Sequence, residues 1–565
     1  MSLVRIFALL IAIAACDTQR LFAAPLGSPQ AVKGGQLVVG LPSYPKHLLY
    51  YLGYEEMSEG LDDLVFDTLI EMDPNTWEPM PRIASSWKES EGGKVFTFQI
   101  DPHARFSDGT PVMAEDVAYT FQAIMDPNHQ TAPIQGEFSA FDSCTVLGPR
   151  TVEFRAKTRH YADLEKFNDF YVLAKHYYSQ GDFNKAFGTR MLGSGPYILE
   201  QAVTGEKISL KRDSNYWGAQ LPQNIGRYNF DRILMKAVPD YDVQFEMFKR
   251  GDIDYYYFLL SKMWATETSG PLFQNGYVKK LKVENHLPYG TPGVAWNLRR
   301  PLFQDRRVRL ALSYLMDRAR FIHELFYDNY IPSTGPVPYL SEYHSPANEP
   351  VLYNPQKAKA LLGQSGWTKT DADGILRKGD ARFEFDILAE NPAMARALTL
   401  YQEDLKRVGI KMNIRVQDFP TVLRLTDDRQ FDAALINRAR DITPRDFSIM
   451  WGSKEADEKG SANLTGYKNP ELDRLDTQLS HTFDRAARVR LIRRIDQILG
   501  HDQPVSWGWE PTYFRLAYWN RFSFPGPGYF NYSYWRSAYQ YWWYDAAKDA
   551  KLKQAMAKNE PVGSR

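Results

Sequence analysis

Apolar residues recur along this chain in two rhythms. Alternation with a period of two marks short strands at Gln36–Leu41, Val95–Ile100 and Thr151–Ala156. Spacings of three and four mark helices, the first over Ala114–Met125. From Asp305 to Phe326 the pattern sets Val308, Leu312, Leu315, Ala319, Ile322 and Phe326 on one face, which predicts a single helix. Another helix starts at Asn354, a good N-cap, with Pro355 in its first turn, and stops before Gly366. A third covers about Arg485–Leu499, with Val489, Ile492, Ile495 and Leu499 inward and its arginines in solvent. The amphipathic run Val243, Phe245, Met247, Phe248 ends at Gly251, where glycine suits a left-handed C-cap. Strands and helices mix up to residue 195. Strand, helix and strand follow over 196–293, and a βα pattern begins at Ala295. This order predicts an α/β protein, and 565 residues suffice for two or three units with sizeable cores. Residues 546–565 are Ala/Lys-rich and polar, and read as a mobile tail, a frayed helix or a disordered segment.

The apolar run Ile6–Ala15 behind Arg5 has the form of a secretory signal, too short to span a bilayer. It ends in Ile13-Ala14-Ala15-Cys16, similar to a bacterial lipobox, which would make Cys16 a lipid-modified first residue. Cleavage near Ala23-Ala24 is the alternative. No later segment approaches 18 consecutive apolar residues, so the expected place is the periplasm, with at most a lipid tether to the inner membrane. Cys144 is the one other cysteine, which leaves no internal disulfide and suggests a buried, inert thiol. Lys+Arg and Asp+Glu both number 68, and this neutrality argues against a nucleic-acid or polybasic membrane binder. With 34 Tyr and 13 Trp, the chain has more amphipathic rings than a plain core needs, and such rings suit a cavity for varied organic groups.

Turn residues give a more specific signal. Gly193-Ser194-Gly195-Pro196-Tyr197, Arg212-Asp213-Ser214-Asn215-Tyr216-Trp217-Gly218, Asn229-Phe230-Asp231 and Lys249-Arg250-Gly251-Asp252-Ile253-Asp254 follow in order. Pro81-Arg82-Ile83-Ala84, Phe106-Ser107-Asp108-Gly109-Thr110-Pro111, Asp305-Arg306-Arg307-Val308, Tyr353-Asn354-Pro355 and Asn463-Leu464-Thr465-Gly466-Tyr467 extend the set along the chain. In this order they resemble the family 5 solute-binding proteins, the peptide-binding receptors of ABC importers. The loop Leu221-Pro222-Gln223-Asn224-Ile225-Gly226, the turn Arg299-Arg300-Pro301 and Trp542-Trp543-Tyr544-Asp545 resemble the YejA-like subgroup, linked to import of peptides and of the peptide–nucleotide antibiotic microcin C. The resemblance implies a two-lobed periplasmic-binding-protein fold of type II (cluster C) with an extra inserted domain. In that scheme residues 1–24 are the signal region, and 25–60, 196–293 and 511–545 form one discontinuous lobe. Residues 61–195 are inserted into it, and 294–510 form the other lobe. It also implies a monomer without cofactor or metal, which hands its ligand to a permease powered by separate ATPase subunits.

A peptide's ammonium needs a fixed carboxylate. In the family an Asp shortly after a Phe-Asp strand supplies it, and the matching residue after Phe431-Asp432 is Asp441. Arg438 and Arg440 flank it and could pair with a ligand carboxylate or with nearby aspartates. Arg438 and Ile442 depart from the family's aromatic pattern in this loop. Trp451 could stack on a ligand, as could Trp507 and Trp509 ahead of Pro511, while Tyr529–Tyr544 reads as lobe packing. Tyr44, just past the first strand, stands where relatives bring their N-terminal segment to the ligand. Enzyme signatures are missing: Gly193-Ser194-Gly195 is no nucleophile elbow, and His323-Glu324 lacks a second histidine four residues after the first. The remaining alternatives are a non-peptide ligand, such as an oligosaccharide or a metal or haem complex, and a ligand-sensing module.

Overall fold

In the computed structural model the described residues are 25–563, apart from 54, 55, 188, 189, 391, 439, 440, 446 and 527. The chain enters a seven-stranded sheet three times. Its strand order is Val278–Glu284, Tyr513–Trp519, Tyr255–Tyr257, Gln36–Leu41, Arg232–Ala237, Lys207–Arg212, Tyr197–Val203. Gln36–Leu41 runs parallel to both its neighbours, with Leu37, Val39 and Leu41 buried, as the alternation requires. A second, five-stranded sheet joins Lys411–Val416, Glu384–Ala389, Ala433–Arg438, Thr291–Trp296 and Val505–Trp507. Between its first two visits to the large sheet the chain builds an antiparallel four-stranded sheet from Ala84–Ser90, Val95–Ile100, Thr151–Ala156 and Phe141–Gly148. Two lobes result. The chain crosses between them after Glu284 and again between Trp507 and Tyr513.

The Gly193-Ser194-Gly195 run is where the segment bearing the four-stranded sheet returns to the large sheet. A Cβ on Gly193 would lie 1.9 Å from the Val65 carbonyl oxygen, and one on Gly195 2.6 Å from the Val65 carbonyl carbon. Glycine is needed there for close backbone approach. Ser194 is buried, and its Oγ accepts from the Asp67 amide at 3.1 Å.

Several local predictions meet the structure directly. Gly251 caps Tyr241–Arg250 with φ 83°, and Phe245 and Phe248 are buried while Val243 faces solvent. Asn354 accepts from the Lys357 amide at 2.9 Å to start Pro355–Gln364. The predicted single helix over 305–326 is instead two, Arg306–Tyr314 and Arg318–Phe326. Asp317 caps the second by accepting from the Arg320 amide at 3.0 Å. The buried Arg318 guanidinium donates to the Ser313 and Met316 carbonyls at 2.9 and 3.3 Å, satisfying the end of the first helix. The break shifts the helical phase, so Ala319 is exposed rather than inward. The C-terminal segment is a docked helix rather than a frayed one. Ala546–Lys558 is helical, capped by Asp545, with Leu552 and Ala555 packed beside Phe248 and Trp519. Cys144 is half-buried on its strand, and burial pushes its thiol up. The signal region and Cys16 lie outside the described residues. Among the described residues no helix is long and apolar enough to cross a membrane.

Candidate functional site

Two cavities of about 340 and 300 Å³ adjoin between the lobes. Each is of ligand-pocket size. The first is backed by a buried polar frame. Arg82 leaves the strand Pro79–Pro81 and donates to Asp67 Oδ1 at 2.7 Å, Glu71 Oε2 at 3.0 Å, Asn224 Oδ1 at 3.0 Å and the Tyr228 hydroxyl at 3.0 Å. Arg227 pairs with the other Glu71 oxygen at 2.8 Å and donates to Asn224 Oδ1 at 3.1 Å. Its guanidinium lies 4.8 Å from the Tyr228 ring and 4.9 Å from that of Tyr541. Burial works to raise the Glu71 carboxyl, but the Arg227 and Arg82 charges outweigh it and hold the group below its usual range. Asn224 belongs to the loop singled out in the sequence. Its role is to join two arginines behind the chamber.

The floor is different. The helix Glu56–Val65 sets Glu59 and Asp63 one turn apart, both on the chamber. Glu59 pairs with Arg536 at 3.1 Å, and Asp63 accepts from the Tyr171 hydroxyl at 2.7 Å. Burial first, and then the Glu59 charge, push the Asp63 carboxyl up to about 6. Asp169 is raised well above the carboxylate range by burial and then by Glu59, Glu137 and Asp63. Glu137 is also raised by burial, against the pull of Arg445. Here carboxylates outnumber the cations that could settle them.

The second lobe closes this space. Asp441 lines the first chamber on an exposed turn, where both its oxygens are held by Arg445 at 3.1 and 3.2 Å. Thr443 donates to Glu165 Oε1 at 2.9 Å, and the Tyr161 hydroxyl donates to the Pro444 carbonyl at 2.7 Å. Arg485 reaches the Thr76 carbonyl at 2.9 Å, and Arg159 lies 3.6 Å from the Phe483 ring. These contacts join residues before 170 to residues after 440, so the cleft is closed. Among the described residues no group of three or more His, Cys, Asp or Glu side chains is arranged to hold a metal ion.

The sequence profile of the bacterial extracellular solute-binding proteins, family 5 (Middle), matches residues 78–460. The chain belongs to that family. It is 28% identical to the uncharacterized protein YejA of Escherichia coli K12, over 94% of this chain and 92% of that one. Its fold matches the oligopeptide-binding protein AppA of Bacillus subtilis, solved with a nonapeptide, at TM-score 0.67 and 21% identity, covering 91% of this chain and all of AppA. It also matches NikZ of Campylobacter jejuni, solved with Ni(L-His), at TM-score 0.68 and 20% identity, over 90% and 99% of the two chains. This family 5 protein is therefore of the extracytoplasmic, solute-binding kind.

The solute-binding protein distributes the sequence-predicted site residues unevenly. Asp441 is on the first chamber. Arg438 ends its strand opposite Thr291, but its side chain, like Arg440, lies outside the described residues. Three tryptophans need correcting. Trp451 and Trp507 pack edge to face at 5.9 Å in a core of the second lobe, and Trp509 stacks on Phe321 at 5.2 Å. All three are buried and line neither cavity. Trp451 ends the helix Phe447–Trp451, and Trp507 and Trp509 lie on short strands, all inside the second lobe before the chain crosses. Tyr44 is half-buried against the first lobe's core, and burial raises its phenol; it too lines neither cavity. Conversely, Tyr532, Tyr534, Tyr539 and Tyr541, expected only to pack, face the first chamber. Glu59, Asp63, Trp77, Glu165 and Asp169 were missed altogether. The acidic pair at Glu59 and Asp63, four apart on a helix that also carries Glu56 and Asp62, was the signal available.

Proposed function

We propose that this solute-binding protein captures peptides or peptide-like compounds between its lobes and delivers them to the permease of an ABC importer, with a separate ATPase. The observation that carries the reading is the pair of adjoining chambers closed over by the second lobe, with ring-lined walls and a floor whose carboxylates lack full compensation. A ligand ammonium or other cation would supply the missing charge at Asp63 and Asp169, with Asp441 as a further contact. Tyrosine rings fit side chains of varied shape. AppA, of the same fold, holds a nonapeptide, which supports the reading. The lobes follow the boundaries 25–60, 196–293 and 511–545 for the first, with 61–195 inserted in it, and 294–510 for the second. They close as a hinge about the two crossings, because the ligand binds the closed state more tightly. Mass spectrometry of ligand recovered from the purified protein tests the chemistry. Peptides are expected, and a metal chelate or an oligosaccharide as the sole ligand would overturn the reading. Small-angle scattering tests the hinge: the radius is expected to shrink on binding, and no change with proven binding would refute it. The lipid anchor is tested by Cys16→Ser, expected to release the protein from the membrane fraction.

A further inference from the structure

Six residues, Met72, Trp77, Glu165, Ile442, Thr443 and Tyr532, face both cavities and so form the wall between them. The largest side chain in this wall is the Trp77 indole. Its backbone is left-handed, with φ 57°, a conformation that bulky residues rarely adopt and that persists only where the surroundings impose it. The surroundings do so here. The Trp77 amide donates to the Asp73 carbonyl at 2.8 Å, and Asp73 Oδ1 accepts from the Asn75 and Thr76 amides at 2.7 and 3.1 Å. The Tyr532 amide donates to the Pro74 carbonyl at 2.7 Å, which ties this turn to the far segment of the same wall. The indole lies 5.4 Å from the Tyr532 ring, and its Nε1 donates to Glu165 Oε2 at 3.2 Å. The other Glu165 oxygen accepts from Thr443 Oγ1 at 2.9 Å, and Thr443 comes from the second lobe. Indole, carboxylate and hydroxyl thus form one chain across the closed cleft.

We propose that Trp77 is a specificity-determining residue that sets the length of ligand the cleft accepts; this rests on the peptide reading only for the ligand's identity. A ligand that fits the first chamber leaves the partition intact and lets Thr443 reach Glu165 on closure. A longer one must enter the second chamber, displace the indole and break both bonds to Glu165. The second chamber is lined by Tyr161, Phe483, Arg485 and Arg488. Removing the indole joins two spaces of similar volume without moving a strand.

The test is a comparison of wild type, Trp77→Ala and Trp77→Phe. Each protein is incubated with a casein digest of mixed peptide lengths, washed, and read by native mass spectrometry. Wild type is expected to retain a narrow band of short peptides. Trp77→Ala is expected to shift the band to longer ones, enriching them at least about tenfold over wild type, with Trp77→Phe between the two. The same length distribution for wild type and Trp77→Ala would overturn the proposal. Should Trp77→Ala fail to fold by circular dichroism, Glu165→Ala reads the same partition, and Glu165→Gln, which keeps an acceptor for one neighbour, is expected to restore part of the limit. A protein that retains no digest peptide overturns the peptide reading alone. The comparison is then repeated with a deproteinised cell extract, where an unchanged mass distribution overturns the partition.

Discussion

Glu71 and Asp63 stand on the wall and floor of one chamber, and their surroundings treat them differently. Glu71 has a guanidinium on each oxygen and is held ionised. Asp63 has a phenol on one oxygen, Glu59 one helical turn away and Arg536 as a nearby cation. Both are carboxylates taken out of bulk water, so the difference lies in who answers the charge. Burying a charge is costly unless it is paired. The frame around Glu71 has met that cost within the protein. The floor around Asp63 has not, and a ligand can. A binding cleft needs both kinds of place, one to hold shape and one to leave a deficit that the ligand fills.

Breaking the frame is expected to have the largest effect. Arg82→Ala leaves Asp67 and Glu71 buried with one cation fewer, and a loss of about 3–5 kcal/mol of folding stability is expected from chemical denaturation. A loss under about 1 kcal/mol would mean that the frame is no more than a surface pair.

Neutralising the floor has the opposite sign. The folded Asp63 carboxyl is raised from 3.8 to about 6, so between these values the folded protein holds a proton that the unfolded chain has released. The contribution is most favourable below that window, falls as pH rises through it, and stays unfavourable above it. Asp63→Asn is expected to flatten this slope and to add about 2 kcal/mol near neutral pH, seen in thermal melts across pH. The same substitution is expected to weaken a ligand that carries a cation. If it strengthens binding, the floor is not the charge deficit argued above.

Tyr171→Phe sharpens the contrast. It removes the one short hydrogen bond to Asp63, at 2.7 Å, which favours the ionised form. A loss of about 1 kcal/mol is expected, with the falling limb of the stability profile moved to higher pH. A profile that stays put would remove the phenol from the account.

A similarly small effect on stability belongs to Asp441. Asp441 itself is exposed and Arg445 half-buried, so Asp441→Ala is expected to cost about 1 kcal/mol of folding stability. Calorimetry with a free-amine peptide and its N-acetylated form is expected to show weaker binding for the first, by up to about tenfold, and none of that loss for the second. Equal losses would make Asp441 a shape residue rather than an amine contact.

Much of the chain's local structure was legible before the fold was seen. The strands Gln36–Leu41 and Val95–Ile100, the helix Ala114–Met125 and the caps at Asn354 and Gly251 follow from alternation, helical spacing and the preferences of single residues. The site was less legible. Trp507 and Trp509 occupy a segment that ends at the crossing between lobes, and an aromatic run there reads as pocket-lining. The rings turn into the second lobe's cores, and the tyrosines past the crossing face the cavity instead. Asp441 was reached through the family resemblance, which puts an Asp shortly after the Phe431-Asp432 strand, and it lies on the first chamber. Its partner Arg445, four residues on, was not assigned to it.

The sequence by itself determined the family, through motifs ordered along the chain, and many local elements and caps, such as Gly251 after Tyr241–Arg250, since those local features rest on neighbours within a few positions. Which carboxylates are answered and which are left in deficit was decided by the tertiary structure alone. Glu71 meets Arg82 and Arg227, Asp63 meets Glu59 and Arg536, and Glu165 meets Trp77 and Thr443, across separations that reach hundreds of residues. A charge's energy depends on distance and on the water it has lost, and neither can be read along the chain.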